Sequence, residues 1–270
     1  MQAVHDLGVV VSAMRGMAAA RVEQARSRRE ALRIFAEAVD FALRTTLAVQ
    51  DMAQSAAPAA GRRAVVLFCA EQGFAGAFSE RVLDQATDLA AGDQVLLVGT
   101  RGREAAARRG RAPTWSLTMP ARPQNVTKLA DQIVEHLSPG LASASLERVE
   151  VVFTAFEAGM PLRVHRETLL PLAIPAAHSC SPPPLMQLPP RDLLVEFLAA
   201  HLHARICNAA LCAFEAEAQA RMEIMAAAHR HIDNELATLQ GVCQQLRQED
   251  ITAEIIELAS GQLAGASGLA

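Results

Sequence analysis

The feature that most constrains the fold of this chain is a long C-terminal stretch without helix-breaking residues. No glycine or proline lies within Arg191–Gln240, and the apolar pattern continues past Gly241 as far as Ser260. We therefore predict a near-continuous helix over Leu193–Leu263. At about 1.5 Å per residue such a helix is roughly 100 Å long, several times the diameter of a small domain. A helix of that length needs a partner along its apolar stripe.

The apolar residues of this helix follow the spacing of a coiled coil. Successive members lie three or four residues apart, and only His229 interrupts them. The members are Met222, Met225, Ile232, Leu236, Leu239, Cys243 and Leu246. A period near 3.5 residues is typical of a coiled-coil seam rather than of the wider stripe of a globular helix. After Leu246 the seam slips by one position and continues through Ile251 and Ile255, so we expect the helix end to contact a different surface.

A second long helix is predicted at the N-terminus, over Ala3–Gln54. Its apolar residues begin at Leu7 with steps of three and four, and they resume after an arginine-rich segment. The first proline of the chain is Pro58. Two helices with heptad-like stripes at opposite ends of one chain indicate an intramolecular antiparallel coiled coil.

The segment between the two helices has the pattern of a small α/β domain. The predicted strands are Ala64–Cys69, Gln94–Gly99, an edge strand at Thr114–Met119, and Val149–Phe156. The predicted helices between them are Ser79–Ala91, Thr100–Arg109 and Asn125–Leu137. Continuous apolar strands that alternate with helices predict a mainly parallel sheet covered on both faces. The predicted fold class is therefore α/β, with a small Rossmann-like central domain between the two helices of the coiled coil.

These elements divide the chain into four predicted segments. They are an N-terminal coiled-coil helix at 1–60, the α/β domain at 61–175, a connector at 176–191 and the C-terminal coiled-coil helix at 192–270. The connector contains the run SPPPLMQLPP, and such proline-rich segments are stiff and extended.

Composition and charge exclude several functions. The net charge is -4 with a pI of about 6.1, which gives no case for a nucleic-acid partner. The 5 cysteines are scattered and form no C-x-x-C pair, which favours a reducing compartment. No signal-peptide pattern opens the chain, and no uninterrupted apolar run approaches the roughly twenty residues of a membrane span, so we expect no such span.

One strand-turn-helix pattern, Phe68–Ser79 (FCAEQGFAGAFS), suggests nucleotide binding as an alternative. Gly73 and Gly76 supply only a G-x-x-G spacing, however, and the chain contains no P-loop. His201 and His203 are two residues apart on a helix and do not face each other, so they cannot chelate a metal. We therefore predict no catalytic residues, no cofactor and no metal for this chain.

Polar residues gather near the end of the C-terminal helix in two recognisable blocks. AEAQARMEIM at Ala216–Met225 and RQEDITAEIIELASG at Arg247–Gly261 match, at the right interval, the S-E-x-x-A-R-M-x-x-M and R-Q-x-x-I-T-x-E patterns of a known family. Weaker matches are SAMRGMAAARV at Ser12–Val22, GFAGAFS at Gly73–Ser79 and ETLLPL at Glu167–Leu172. In this order and over nearly its whole length, the chain resembles the γ subunit of F-type ATP synthases.

The resemblance implies a function as the central rotor shaft. In this family the two long helices form an antiparallel coiled coil inside a ring of three α and three β subunits. The α/β domain lies at the foot, with the ε subunit and the membrane c-ring. The shaft couples ion translocation to ATP synthesis or hydrolysis and has no active site of its own. The resemblance also implies peripheral attachment at the cytoplasmic face of the inner (plasma) membrane.

The resemblance assigns six residues to the subunit interface and to coupling. They are Met14, Arg221, Arg247, Gln248, Thr252 and Glu254. Met14 matches the methionine of an N-terminal region linked to coupling. Arg221, Gln248 and Thr252 match the positions that hydrogen-bond the catalytic ring, and Arg247 and Glu254 would support the same interface.

Several residues depart from the family pattern. Arg15 replaces a common acidic residue, and Ala75 and Ala77 replace residues of the glycine-rich turn. These changes indicate a divergent branch, such as the γ-like subunit of an alternative, sodium-linked N-type F-ATPase. Two other hypotheses stay open from the residues alone: a non-rotary coiled-coil scaffold, such as a homodimeric spacer, and a small nucleotide-binding α/β protein.

Overall fold

The computed structural model describes residues 2–49, 62–90, 92–157, 159–172 and 186–266. Its elements are α1 (Gln2–Val49), β1 (Arg62–Phe68), α2 (Phe78–Asp84), β2 (Gln94–Val98), α3 (Thr100–Arg108), β3 (Trp115–Leu117), α4 (Val126–Ala142), β4 (Leu146–Ala155), β5 (Arg163–Leu170) and α5 (Pro190–Ala266). They divide into two compact units. The first unit holds Met1–Gly16 and Met225–Ala270, and the second holds Met17–Ile224.

The second unit is built on a five-stranded sheet of order β3-β2-β1-β4-β5. The first four of these strands run parallel to their neighbours, and β5 pairs antiparallel with β4. The predicted α/β class with a mainly parallel sheet is confirmed, and the edge strand predicted near Trp115 is present as β3.

Two hydrophobic cores cover the sheet, because successive side chains of a strand point to opposite faces. Val66 and Phe68 of β1 belong to the core that α4 and α5 complete. Val65 and Leu67 belong to the core that α2 and α3 complete. The continuous apolar run of β1 is therefore explained by burial on both faces.

In the second unit, α1 and α5 run antiparallel. Arg29 of α1 binds Glu215 of α5, and further along α1 Asp40 lies 2.6 Å from the ring Nδ1 of His201. Ala25 of α1 is fully buried in the same core as the sheet-facing side of α5. The coiled-coil helices predicted from the heptad pattern thus pack against each other as expected.

In the first unit, the start of α1 packs against α5 through small and aliphatic residues. Gly8, Val11, Met225 and Ile232 are buried. A Cβ atom added at Gly8 would lie 3.4 Å from the Cγ2 atom of Ile232, so the two helices approach closely at this point.

Some element boundaries differ from the sequence prediction. α2 ends at Asp84, well before the predicted Ala91, because guanidinium groups of Arg166 and Arg63 bind the carbonyl oxygens of Gln85 and Asp88 and hold that segment in a turn. The antiparallel strand β5 was not predicted. Most of the predicted connector at 176–191 and the end of the first predicted helix lie outside the described residues, and the four-segment division stays a prediction.

Within the part of the chain that the structure describes, one helix is long and apolar enough to cross a membrane by length and composition alone. It is the Pro190–Ile256 portion of α5, with a mean hydropathy of 1.3 in its most apolar window, whereas the sequence led us to expect no such segment. That window is 56% buried inside the protein. A helix packed between a sheet and a second helix has this composition because it is apolar nearly all round.

Candidate functional site

The predicted residue Arg221 lies in a buried cluster at the carboxyl end of β1. Arg221 and Glu217 are each 5% exposed. The Nη2 group of Arg221 donates to Oε1 of Glu217 at 2.5 Å, and its Nε donates to the carbonyl oxygen of Gly73 at 3.1 Å. The Glu217 carboxylate also accepts the backbone N–H groups of Glu71 and Gln72, both at 3.0 Å. Because every charge has a partner, α5 is firmly attached to the turn after β1.

Glu71 joins the carboxyl ends of three strands. Its Oε2 accepts the backbone N–H groups of Thr100, at 3.0 Å, and Met119, at 2.9 Å. Its Oε1 accepts the Thr100 hydroxyl at 2.6 Å. Glu71 follows β1, Thr100 follows β2 and Met119 follows β3. One side chain therefore fixes the edge of the sheet at which α/β proteins usually bind ligands.

These two carboxylates occupy the positions where a nucleotide-binding domain would hold phosphate. Such domains use the backbone N–H groups after the first strand and the N-terminus of a following helix. Here Glu217 takes the N–H groups after β1, and Glu71 takes the N-terminus of α3. Gly99 closes the site further, because a Cβ at that residue would lie 2.5 Å from the carbonyl oxygen of Cys69. The turn at Phe68–Ser79 thus offers a phosphate two negative charges instead of free donors.

Glu215 attaches the other side of α5 to α1. Its side chain is 2% exposed, accepts Nη1 of Arg29 at 2.5 Å and lies 3.4 Å from Nε of Arg26. Burial lowers the pKa of the Arg29 guanidinium, but the nearby Cys212 and the hydrogen bond to Glu215 outweigh it, so the pKa is raised. Arg29 is therefore charged at every physiological pH.

The buried cysteines have no catalytic character. Burial raises the pKa of the Cys69 and Cys207 thiols to about 12 and that of Cys212 to about 11, so the nucleophilic thiolate is scarce near neutral pH. In the described ranges, no group of three His, Cys, Asp or Glu residues is placed to hold a metal ion.

Four of the predicted interface residues lie on the exposed end of α5. Arg247, Gln248, Thr252 and Glu254 are all exposed to solvent. The Thr252 hydroxyl donates to the carbonyl oxygen of Gln248 at 2.7 Å. Met14, the fifth predicted residue of the first unit, is half-buried on α1.

Large aliphatic side chains are exposed around these polar residues. They are Leu239, Val242, Leu246, Ile251 and Ile255, which we call the apolar stripe. Its first three members share one face of α5. Ile251 and Ile255 lie on another, because five residues separate Leu246 from Ile251 and each residue turns the helix by about 100°. The first three members form a contiguous exposed apolar patch on one face, and such a patch marks a site of protein association.

Sequence reasoning missed two carboxylates that hold α5 and the sheet edge in place. Glu215 and Glu71 carry no motif, and their partners lie far away in the chain. Glu217 was visible in the sequence one turn before Arg221, at the spacing of a helical ion pair.

The fold and the site together define a class of protein. The α/β unit has its usual ligand positions filled by its own carboxylates, and the helical unit presents apolar surface for association. This is the architecture of a partner-binding stalk protein with long terminal helices.

Comparison with known proteins identifies the family. The family model described as ATP synthase matches residues 1–264. The ATP synthase gamma chain of Paramagnetospirillum magneticum is 28% identical over 273 residues, which cover 93% of this chain and 92% of the relative. That of Kineococcus radiotolerans is 30% identical over 226 residues, covering 76% and 74%. The chain belongs to the ATP synthase gamma-chain family, as the C-terminal motifs predicted.

Solved structures share the fold. The central stalk/c-ring structure of the Tetrahymena thermophila mitochondrial ATP synthase contains a chain with a TM-score of 0.60 and 20% identity, covering 81% of this chain and 99% of that one. The rotor of the Euglena gracilis mitochondrial ATP synthase contains another, with a TM-score of 0.53 and 12% identity, covering 89% and 99%.

Proposed function

We propose that this chain is the central rotor shaft of an F-type ATP synthase. It couples ion translocation through the membrane sector to ATP synthesis or hydrolysis in a ring of three α and three β subunits. One observation carries the proposal: the family match runs through both terminal helices and the α/β domain, from residue 1 to 264, so the whole architecture is shared and not a single motif.

The exposed end of α5 supports placing it inside the ring. Apolar contacts have no preferred direction. A helix that exposes Ile251 and Ile255 can therefore rotate inside the ring of subunits without breaking a fixed set of hydrogen bonds. Arg247, Gln248 and Thr252 would supply the polar contacts that distinguish one angular position from another.

The remaining predicted site residues keep separate roles in this proposal. Glu254 is exposed beside the polar set and would support it. Met14 on α1 would act in coupling. The contact predicted between Arg221 and the ring stays a prediction, and in the structure the Arg221 guanidinium binds Glu217 and Gly73.

The partners and location follow from the same proposal. The α/β domain would contact the ε subunit and the c-ring of the membrane sector, a proposal supported by the Tetrahymena structure, which is one of a central stalk with its c-ring. The complex is membrane-associated, and we place this chain peripherally at the cytoplasmic face of the inner (plasma) membrane. We propose no nucleic-acid partner.

Co-expression with the α and β subunits of the same organism tests the proposal. Native mass determination should find one copy of this chain for every six ring subunits, and ATP hydrolysis should depend on its presence. A dimer of this chain that leaves the ring subunits behind would instead establish the coiled-coil scaffold.

Titration of the full chain with ATP tests the nucleotide-binding alternative. Because Glu217 and Glu71 fill the phosphate positions, we expect no binding heat and no change in the fluorescence of Trp115, the only tryptophan. Saturable binding would return the α/β domain to consideration as a nucleotide site.

A further inference from the structure

Two buried carboxylates of α5 hold the helix from two different sides. Glu215 and Glu217 are two residues apart, so their side chains leave the helix about 200° from each other. Glu215 binds Arg29 of α1, whereas Glu217 binds the backbone of the turn after β1. All of these residues belong to the second unit.

We propose that Glu215 and Glu217 form a torsional key, through which torque passes between the long helices and the α/β domain. This proposal rests on the proposed function as a rotor shaft. A carboxylate about 5–6 Å from the helix axis moves about 2 Å when the helix turns by roughly 20°. That displacement breaks a hydrogen bond, so even a small twist of α5 must break the contacts on both sides at once.

Directional contacts add to the apolar packing of this helical segment. Six of the residues in 208–220 are alanines, namely Ala209, Ala210, Ala213, Ala216, Ala218 and Ala220, whereas Leu211 and Phe214 are bulky and buried in the core. Apolar packing has no preferred direction, so the buried, charge-assisted hydrogen bonds of Glu215 and Glu217 define the angle of α5 most sharply.

The turn that binds Glu217 is connected to the carboxyl ends of three of the five strands. Glu217 binds the N–H of Glu71, and the Glu71 carboxylate in turn binds the chain after β2 and after β3. A load applied at Glu217 is thus shared by three strand ends. On the opposite side, Arg29 transfers load from Glu215 to α1.

Hydrogen exchange in the isolated full-length chain tests whether Glu217 holds the turn after β1 in place. Glu217→Gln keeps the size of the side chain but removes its charge, and we expect the amides of Glu71 and Gln72 to exchange at least tenfold faster. Glu223→Gln is the matched control, because Glu223 lies on the same helix, is exposed and bonds only its helical neighbour Gln219 among its described hydrogen bonds. Unchanged exchange at Glu71 and Gln72 in the first variant would overturn the proposal.

Coupling in the assembled complex tests the transmission of torque. With Glu217→Gln or Glu215→Gln, the complex should assemble and hydrolyse ATP at the wild-type rate, while ATP synthesis driven by the ion gradient falls at least threefold. The Glu223→Gln complex should match the wild type in both. Equal ratios of synthesis to hydrolysis in all complexes would refute the key.

The two experiments fail in different ways. If the wild-type chain does not assemble with the ring, the proposed function is wrong. The hydrogen-exchange measurement still decides whether Glu217 fixes α5 to the turn after β1. If Glu217→Gln prevents folding, Glu215→Gln carries the coupling test alone. A merely structural role would lower the melting temperature without changing the ratio of synthesis to hydrolysis.

Discussion

The exposed apolar stripe yields the most specific prediction. Ile251 and Ile255 are 56% and 61% exposed, so more than half of each residue's surface remains to be buried by a partner. Fully burying an isoleucine contributes about 1.5–3 kcal/mol, which leaves about 0.8–1.8 kcal/mol for each of these two. Replacing both by glutamine should therefore weaken binding to the ring by about 1.7–3.5 kcal/mol, or roughly 20- to 400-fold in Kd.

The assay is a titration of the catalytic ring with labelled full-length chain, alongside thermal unfolding of the chain alone. Glutamine favours helices at least as well as isoleucine, so the melting temperature of the isolated variant should stay close to that of the wild type. Glu223→Gln, which is exposed and lies far from Ile251 along α5, is the control and should bind like the wild type. The reasoning is refuted if the double variant loses less than threefold in affinity, or if it destabilises the isolated chain instead.

Three further predictions concern the α/β domain. Thr154→Val should raise the free energy of unfolding in urea by about 1 kcal/mol, because the buried Thr154 hydroxyl has no hydrogen-bond partner; a loss of stability would mean that the hydroxyl is satisfied. The hydrogen bond from Arg166 is the main cause that lowers the pKa of Asp88 to about 2. A carboxylate whose pKa is lowered in the folded state stabilises the fold at every pH above its ordinary pKa, and this stabilisation is lost as the pH falls through the lowered pKa. The difference in melting temperature between the wild type and Asp88→Asn should therefore be constant near neutral pH and should disappear between about pH 4 and pH 2. Gly99→Ala should cost at least about 2 kcal/mol in chemical denaturation, because its φ is 111° and the added Cβ would meet backbone, whereas Gly110→Ala, with a φ of 67° and open space, should cost about half as much.

Much of this fold follows from patterns that are local in the sequence. The long helices were predictable because breakers are absent and apolar residues repeat every three or four positions. β1, β2 and β4 were predictable because both faces of the sheet are covered and the strands are continuously apolar. β5 was not, because it lies at the edge of the sheet and mixes exposed polar residues such as Arg163 and His165 with the half-buried Val164, which leaves no long apolar run.

The candidate site divides in the same way. Gln248 and Thr252 could be found because they belong to a contiguous block of a family pattern. Glu71 could not, because its role depends on the ends of three strands that come together only in the folded chain. Its hydrogen-bond partners Thr100 and Met119 are distant in the sequence, and no local pattern around Glu71 predicts these contacts. The burial of Arg221 was equally hidden, since a helical arginine is usually solvated.

The carboxylates at the sheet edge have a consequence for the working cell. A domain of this architecture with open phosphate positions would stiffen when nucleotide is plentiful and loosen when it is scarce. Because Glu71 and Glu217 fill those positions permanently, the elastic behaviour of this part of the chain does not follow the energy state of the cell. A drive shaft made this way would deliver the same twist per unit load in starvation and in plenty.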